Sequence, residues 1–140
     1  MEKYIKPEMD EIEIFEGPPT RQFWIEQGFE KSIGLADEIM KIVNEIDPSY
    51  SLRYARHGVG PSKEGIPNNF IFIHPKKYGI KLIIRHEHDK EFQKILEDSN
   101  LDVVSYERAN YPIRLTKKDI AENKELLKEL IKKAYDYYHD

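Results

Sequence analysis

The residues best equipped for chemistry lie in the middle of the chain and just beyond it. His86-Glu87-His88-Asp89 sets two imidazoles at alternate positions with carboxylates between and after them. Nitrogen and oxygen donors of this kind are what a first-row transition metal takes. His57 completes a candidate set if the strand leading to it pairs antiparallel with the next strand, because His57 then falls near the same end. The spacing of His57, His86 and His88 matches no established zinc or iron signature. Histidines among acids at a strand end are more often a solvated loop. A metal-assisted enzyme using these histidines is therefore the alternative reading and not the main one. The chain has no cysteine, which removes disulfides, thiolate metal sites and a cysteine nucleophile. The sequence contains neither a Gly-x-Ser-x-Gly elbow nor an HExxH helix. The second and third expected strands carry none of the carboxylates with which restriction-type nucleases hold Mg²⁺.

The second feature is an asymmetry of charge. The formal net charge is −4, which argues against a surface that grips nucleic acid all round. Yet residues 48–86 hold seven basic side chains and only Glu64 as an acid. Residues 1–47 carry a net −7 and residues 87–140 a net −3. A cationic stretch between anionic flanks either pairs with those flanks or presents an anion-binding face. Its glycine loop, Gly58-Val59-Gly60-Pro61-Ser62, is not a dinucleotide fingerprint, since a strand follows it and Pro61 lacks a donor. It reads as a turn, or as a lip beside a ligand.

The elements that must position these groups follow from periodicity. At 140 residues with no cysteine, one domain with one core is expected. Residues 1–20 read as an acidic segment and linker, ending in Gly17-Pro18-Pro19, with an edge strand or a tail over Glu11–Ile14. Residues 21–140 form the domain. Thr20 caps a helix from Arg21 to Asp47-Pro48, weakened by Gly28 and Gly34, with a break expected near Ser32. A strand over Leu52–Arg56 and a Gly/Pro-rich loop through Asn68 come next. Asn69–His74 and Ile80–Arg85 then form an antiparallel hairpin around Pro75–Gly79. Asp89 caps a short helix. Two strands, Leu101–Glu107 and Tyr111–Leu115, lead to the capping pair Thr116/Asp119 and a long last helix. Tyr135 and Tyr138 belong to that helix's apolar stripe and Tyr137 to its outer side. The fold class is α+β: an antiparallel sheet of about five strands, helices mainly on one face, in the order α-β-β-β-α-β-β-α.

Alternation then sorts the sheet. With Leu52, Tyr54, Ile80, Leu82, Ile84, Ile113 and Leu115 under the helices, the other face carries Arg53, His57, Lys81, Arg85 and Arg114. One of the pairs Phe70/Phe72 or Ile71/Ile73 shares that face. Basic side chains interleaved with aromatics on an open sheet can neutralise phosphates and stack bases. The candidate anion or nucleic-acid face is Arg53, Arg56, Lys76, Lys77, Lys81, Arg85 and Arg114.

The stretch Asn68–Lys77 followed by Ile80-Lys81-Leu82 resembles the central hairpin of a small uncharacterised α+β domain family loosely labelled "predicted transport protein". Ile113–Thr116, Asp119-Ile120 and Leu126–Tyr135 resemble its closing strand and helix, so the likeness covers roughly residues 29–138. That domain often stands C-terminal to restriction-type nuclease domains. The resemblance implies an accessory module linked to a nuclease or defence protein. It supplies no catalytic residues. The expectation is a non-enzymatic binding module, without cofactor, that engages nucleic acid or an acidic protein surface. A further alternative is a protein–protein adaptor using the acidic N-terminal segment. Met1–Glu16 lacks the basic-then-apolar order of an export signal, and no apolar run approaches the ~20 residues of a bilayer span. The expected setting is cytoplasmic, with no membrane partner; the oligomeric state is left open.

Overall fold

Apolar residues recur at helical spacing at both ends of the chain and alternate in its middle, and the two periods sort into two layers. The computed structural model describes residues 19–104 and 106–139. Residues 1–18, with the strand or tail expected at Glu11–Ile14, lie outside the described residues.

Thr20 caps α1 (Arg21–Glu26), its Oγ1 accepting from the Phe23 N–H at 3.1 Å. The helical stretch breaks at Gly28 and not near Ser32. Gly28 takes a φ of +93°, and the N–H of Phe29 turns back to the Trp24 carbonyl at 3.1 Å. A residue without Cβ adopts that left-handed backbone at little cost. α2 (Glu30–Ile46) runs from there to Asp47-Pro48, burying Ile33, Ala36, Ile39, Met40 and Val43.

The sheet is antiparallel and contains β1 (Ser51–Tyr54), β2 (Val59–Lys63), β3 (Ile66–Pro67), β4 (Ile71–Lys76), β5 (Gly79–Arg85), β6 (Asp102–Val103) and β7 (Asn110–Leu115). Its order is β1-β2-β4-β5-β7-β6, with β3 paired to β2. Seven strands replace the expected five because the Gly/Pro-rich loop folds into β2 and β3. Gly58 and Gly60 are the reason. A Cβ on Gly58 would stand 2.5 Å from the Ile73 carbonyl oxygen and 2.6 Å from the Phe72 ring. At Gly60 it would stand 3.0 Å from the same ring. The two glycines let β2 lie against β4 beneath an aromatic side chain, a strand use of glycine rather than a turn use.

The β4–β5 hairpin is as expected but tighter: Lys76 already pairs with Gly79, leaving Lys77-Tyr78 as the turn. Asp89 caps α3 (Lys90–Glu97), its carboxylate accepting from the Glu91 and Phe92 N–H groups. The strand expected at Leu101–Glu107 shrinks to β6, because Arg108 and Ala109, both at positive φ, turn the chain into β7. A capping box of Thr116 and Asp119 opens α4 (Lys117–Glu122), and the expected single last helix is interrupted at Asn123 before α5 (Lys124–His139).

The helices pack on one face of the sheet. Ile71, Ile73, Ile80, Leu82, Ile84, Ile113 and Leu115 are fully buried there, each contributing ~2 kcal/mol of apolar burial. At the end of α5 the expected tyrosine roles exchange. Tyr137 is half-buried against His86, with ring centres 5.1 Å apart, whereas Tyr138 is 41% exposed. No described helix is long and apolar enough to cross a membrane.

Candidate functional site

Among the described residues no helix covers the second face of the sheet. Pairing fixes which side chains occupy it: Arg53 opposite Gly60, then Phe72, His74 and Lys76 on β4, and Lys81, Ile83 and Arg85 on β5. Pro112 and Arg114 on β7 and Asp102 on β6 complete it. Of the two hairpin pairs left open by the sequence, the outer aromatic is therefore Phe72, while Phe70 is buried with the helices. The strand positions of this face carry five cations and one carboxylate.

Register arranges them in rows. Phe72, Ile83 and Pro112 lie side by side as an apolar row, flanked by a polar row of His74, Lys81, Arg114 and Asp102. On the other flank Arg85 lies beside Asn110. Phe72, His74, Ile83, Arg85, Asn110 and Pro112 line a shallow cavity of about 430 Å³, with Asn69 and Glu107 at its margin. Asn110 keeps a buried Oδ1 with no hydrogen-bond partner among the described residues.

The electrostatics of the face are uneven. The Arg114 guanidinium donates to both carboxylate oxygens of Asp102, at 3.0 and 3.4 Å, and so is partly neutralised. Arg53 and Arg85 are exposed and form no ion pair among the described residues. Arg56 is exposed just past the end of β1, next to His57. Lys77 departs from the expected set: it sits in the hairpin turn with Nζ 4.3 Å from the centre of the Phe29 ring, on the helix side of the sheet. Lys63, also from the basic stretch, reaches Asp47 at 3.5 Å. Part of the cationic stretch is thus paired with the acidic first third of the chain, and part stands on the open face.

His74, which the sequence reading did not single out, is the most perturbed imidazole of the face. Its Nδ1–H donates to the His57 carbonyl at 2.8 Å. Burial is the main cause that brings its pKa down to about 4, with Lys81, Lys76 and His57 adding to the effect. The ring is therefore neutral near pH 7 and lies edge-on to Phe72, centres 5.2 Å apart. The signal that could have found it was the hairpin register, which sets His74 beside Lys81.

The three candidate metal ligands do not converge. β2 lies between β1 and β4, so β1 does not pair with the strand of the hairpin as the sequence reading supposed. By register, His57 is level with Pro75 and His86 with Asn69, some six positions or about 20 Å apart along the strands. His86 is buried and stacked on Phe92, ring centres 4.4 Å apart, and its Nδ1–H donates to the Glu87 carbonyl at 3.0 Å. His88 stacks on Tyr106 at 4.9 Å. Among the described residues no three histidine, aspartate or glutamate side chains group as a metal site would require.

Comparison of the chain with models of protein families, with curated proteins and with solved structures returns no match.

Proposed function

We propose that the chain is a binding module whose open sheet face takes single-stranded nucleic acid. The observation that carries this reading is the apolar row of Phe72, Ile83 and Pro112 running between cations on a face that no described helix covers. A base can stack on Phe72 while phosphates meet Arg85 on one side and the Lys81 row on the other, the arrangement that sequence-tolerant single-strand binders use. The neutral His74 ring stands edge-on at the border of the platform and adds no charge that would have to be desolvated. Arg53, lying beyond β2 in the same row as Phe72, lengthens the cationic track. The resemblance of the hairpin and last helix to an accessory domain of nuclease-associated proteins agrees with this role, in which the module delivers affinity and another chain or domain delivers chemistry.

Fluorescence anisotropy with a labelled oligouridylate tests it. Phe72→Leu keeps apolar cover over Gly58 and Gly60 but removes the ring, and stacking is worth ~1–3 kcal/mol per base. We expect affinity to fall about tenfold while the melting temperature stays close to that of the parent. An unchanged affinity in Phe72→Leu, or a poly-glutamate peptide that binds as tightly as the RNA, would contradict the stacking role and leave an acidic protein surface as the partner.

A further inference from the structure

A second concavity lies on the opposite side of the molecule, where the first turns of α2, the β4–β5 turn and the α4–α5 junction meet. It is a groove of about 630 Å³, within the size range of small-ligand sites. Its walls are apolar: Leu35 is half-buried there, Ile120 and Ala121 line it from α4, and Tyr78, 45% exposed, lines it from the hairpin turn. Its rim is cationic. Lys31, Lys77, Lys117 and Lys124 line it, and none of the four forms an ion pair among the described residues. The one carboxylate in the lining, Glu38, is engaged by Lys41 at 3.0 Å.

An independent observation concerns Gly34. It sits inside α2, where glycine is the least favourable residue after proline. Its φ is not positive, and a Cβ built on it would meet nothing within 4 Å. Neither backbone conformation nor close packing accounts for a glycine at this position. It lines the groove, and what the missing side chain does is leave the groove floor clear.

From the open floor, the apolar walls and the four lysines, we infer that this groove is a binding site for a small amphipathic anion, an organic body bearing a phosphate or carboxylate head. The body lies over Gly34 and against Leu35 and Ile120; the head meets the lysines, which as mobile point charges suit either oxyanion. The site is independent of the sheet face and stands whether or not that face binds nucleic acid.

The test uses n-octyl phosphate as probe, with inorganic phosphate and n-octanol as its separate halves. Binding is followed by amide chemical shifts and by calorimetry. The expected result is saturable binding of n-octyl phosphate, with shifts centred on Gly34, Gly79 and Ala121 and each half at least about tenfold weaker. Gly34→Phe fills the floor and should weaken binding at least about tenfold without lowering the melting temperature, since the new side chain enters open space. Lys117→Glu with Lys124→Glu should weaken it to a similar degree by a separate cause, and both variants lie on the surface, so folding is retained. No saturable shift at millimolar probe, undiminished binding by Gly34→Phe, or n-octanol binding as tightly as n-octyl phosphate would overturn the proposal.

Discussion

The Nδ1–H of His74 donates to the carbonyl oxygen of His57 across 2.8 Å, and this bond joins β4 to the end of the glycine segment that precedes β2. It fixes the tautomer of the ring and orients it beside Phe72, while burial keeps the imidazole uncharged on a face rich in arginine and lysine.

The burial of this imidazole makes an acid-dependent prediction. His74 titrates at about 4 in the folded chain against an ordinary 6.5, so the unfolded chain binds the proton more readily. The stability this group contributes is complete above pH 6.5 and is lost as the pH falls toward 4. His74→Gln should therefore flatten the decline in stability over that window, by on the order of 2 kcal/mol between its ends. Urea unfolding at a series of pH values reads this directly. Parallel curves for parent and variant would refute it.

Two glycines should respond in opposite directions to the same substitution. At Gly58 an added Cβ meets the Ile73 carbonyl oxygen at 2.5 Å, a backbone atom that cannot step aside, and Gly58→Ala should cost ~1–3 kcal/mol. At Gly34 the added methyl meets nothing within 4 Å, and Gly34→Ala should gain ~0.5–1 kcal/mol from helix propensity. Equilibrium denaturation of both variants checks the pair, and a loss of stability in Gly34→Ala would contradict the open groove.

The end of α5 is tied to the end of α2 by the Tyr135 hydroxyl, which donates to Asp47 Oδ2 at 3.0 Å. Ser49 donates to the same carboxylate through its hydroxyl and its N–H, and these two bonds lead the causes that hold the Asp47 carboxyl well below its ordinary range, with Tyr135 and Lys63 adding to them. A depressed carboxyl contributes stability above its ordinary value of 3.8 and loses it as the pH falls below that. Asp47→Asn should thus blunt the acid limb of the stability curve below pH ~4. Tyr135→Phe should cost ~1 kcal/mol at neutral pH. An unaltered acid limb in Asp47→Asn would contradict the assignment.

His86 should act as a packing residue. A site saturated a hundredfold over its Kd would add ~2.7 kcal/mol to stability; we expect zinc to raise the melting temperature of the metal-free chain by nothing measurable. His86→Ala should cost ~1–2 kcal/mol through loss of the stack on Phe92 and Tyr137. A zinc-dependent rise in melting temperature that His86→Ala abolishes would reverse this view.

Much of the fold was legible because its signals are local. Thr20, Asp89 and the Thr116/Asp119 pair announce their helices by capping chemistry. Strict alternation placed Leu52, Tyr54, Ile80 and Leu82 inward and Arg53, Lys81, Arg85 and Arg114 outward, as the pairing register bears out. What escaped the sequence reading depends on partners far along the chain. Gly58 and Gly60 look like turn residues until the ring of Phe72, a dozen residues later, is laid across them. The insertion of β2 beside β1 separates His57 from His86, and no spacing rule reports that. Lys77 counts among the basic residues by composition, yet the tight turn carries it to Phe29 on the other side of the sheet. His74 hides between Ile73 and Pro75, and only hairpin register reveals its neighbour Lys81.

The most direct test of the open face is the salt dependence of oligouridylate affinity for the parent chain and for Arg53→Glu with Arg85→Glu. About four phosphate contacts give a logarithmic slope near −3, or a roughly fiftyfold loss of affinity between about 50 and 200 mM salt. The account predicts that steep slope in the parent, and in the variant an affinity at least about tenfold lower with a slope shallower by about 1.4. Oligouridylate that fails to bind at low salt, or binds the variant with the parent's affinity and slope, would contradict it.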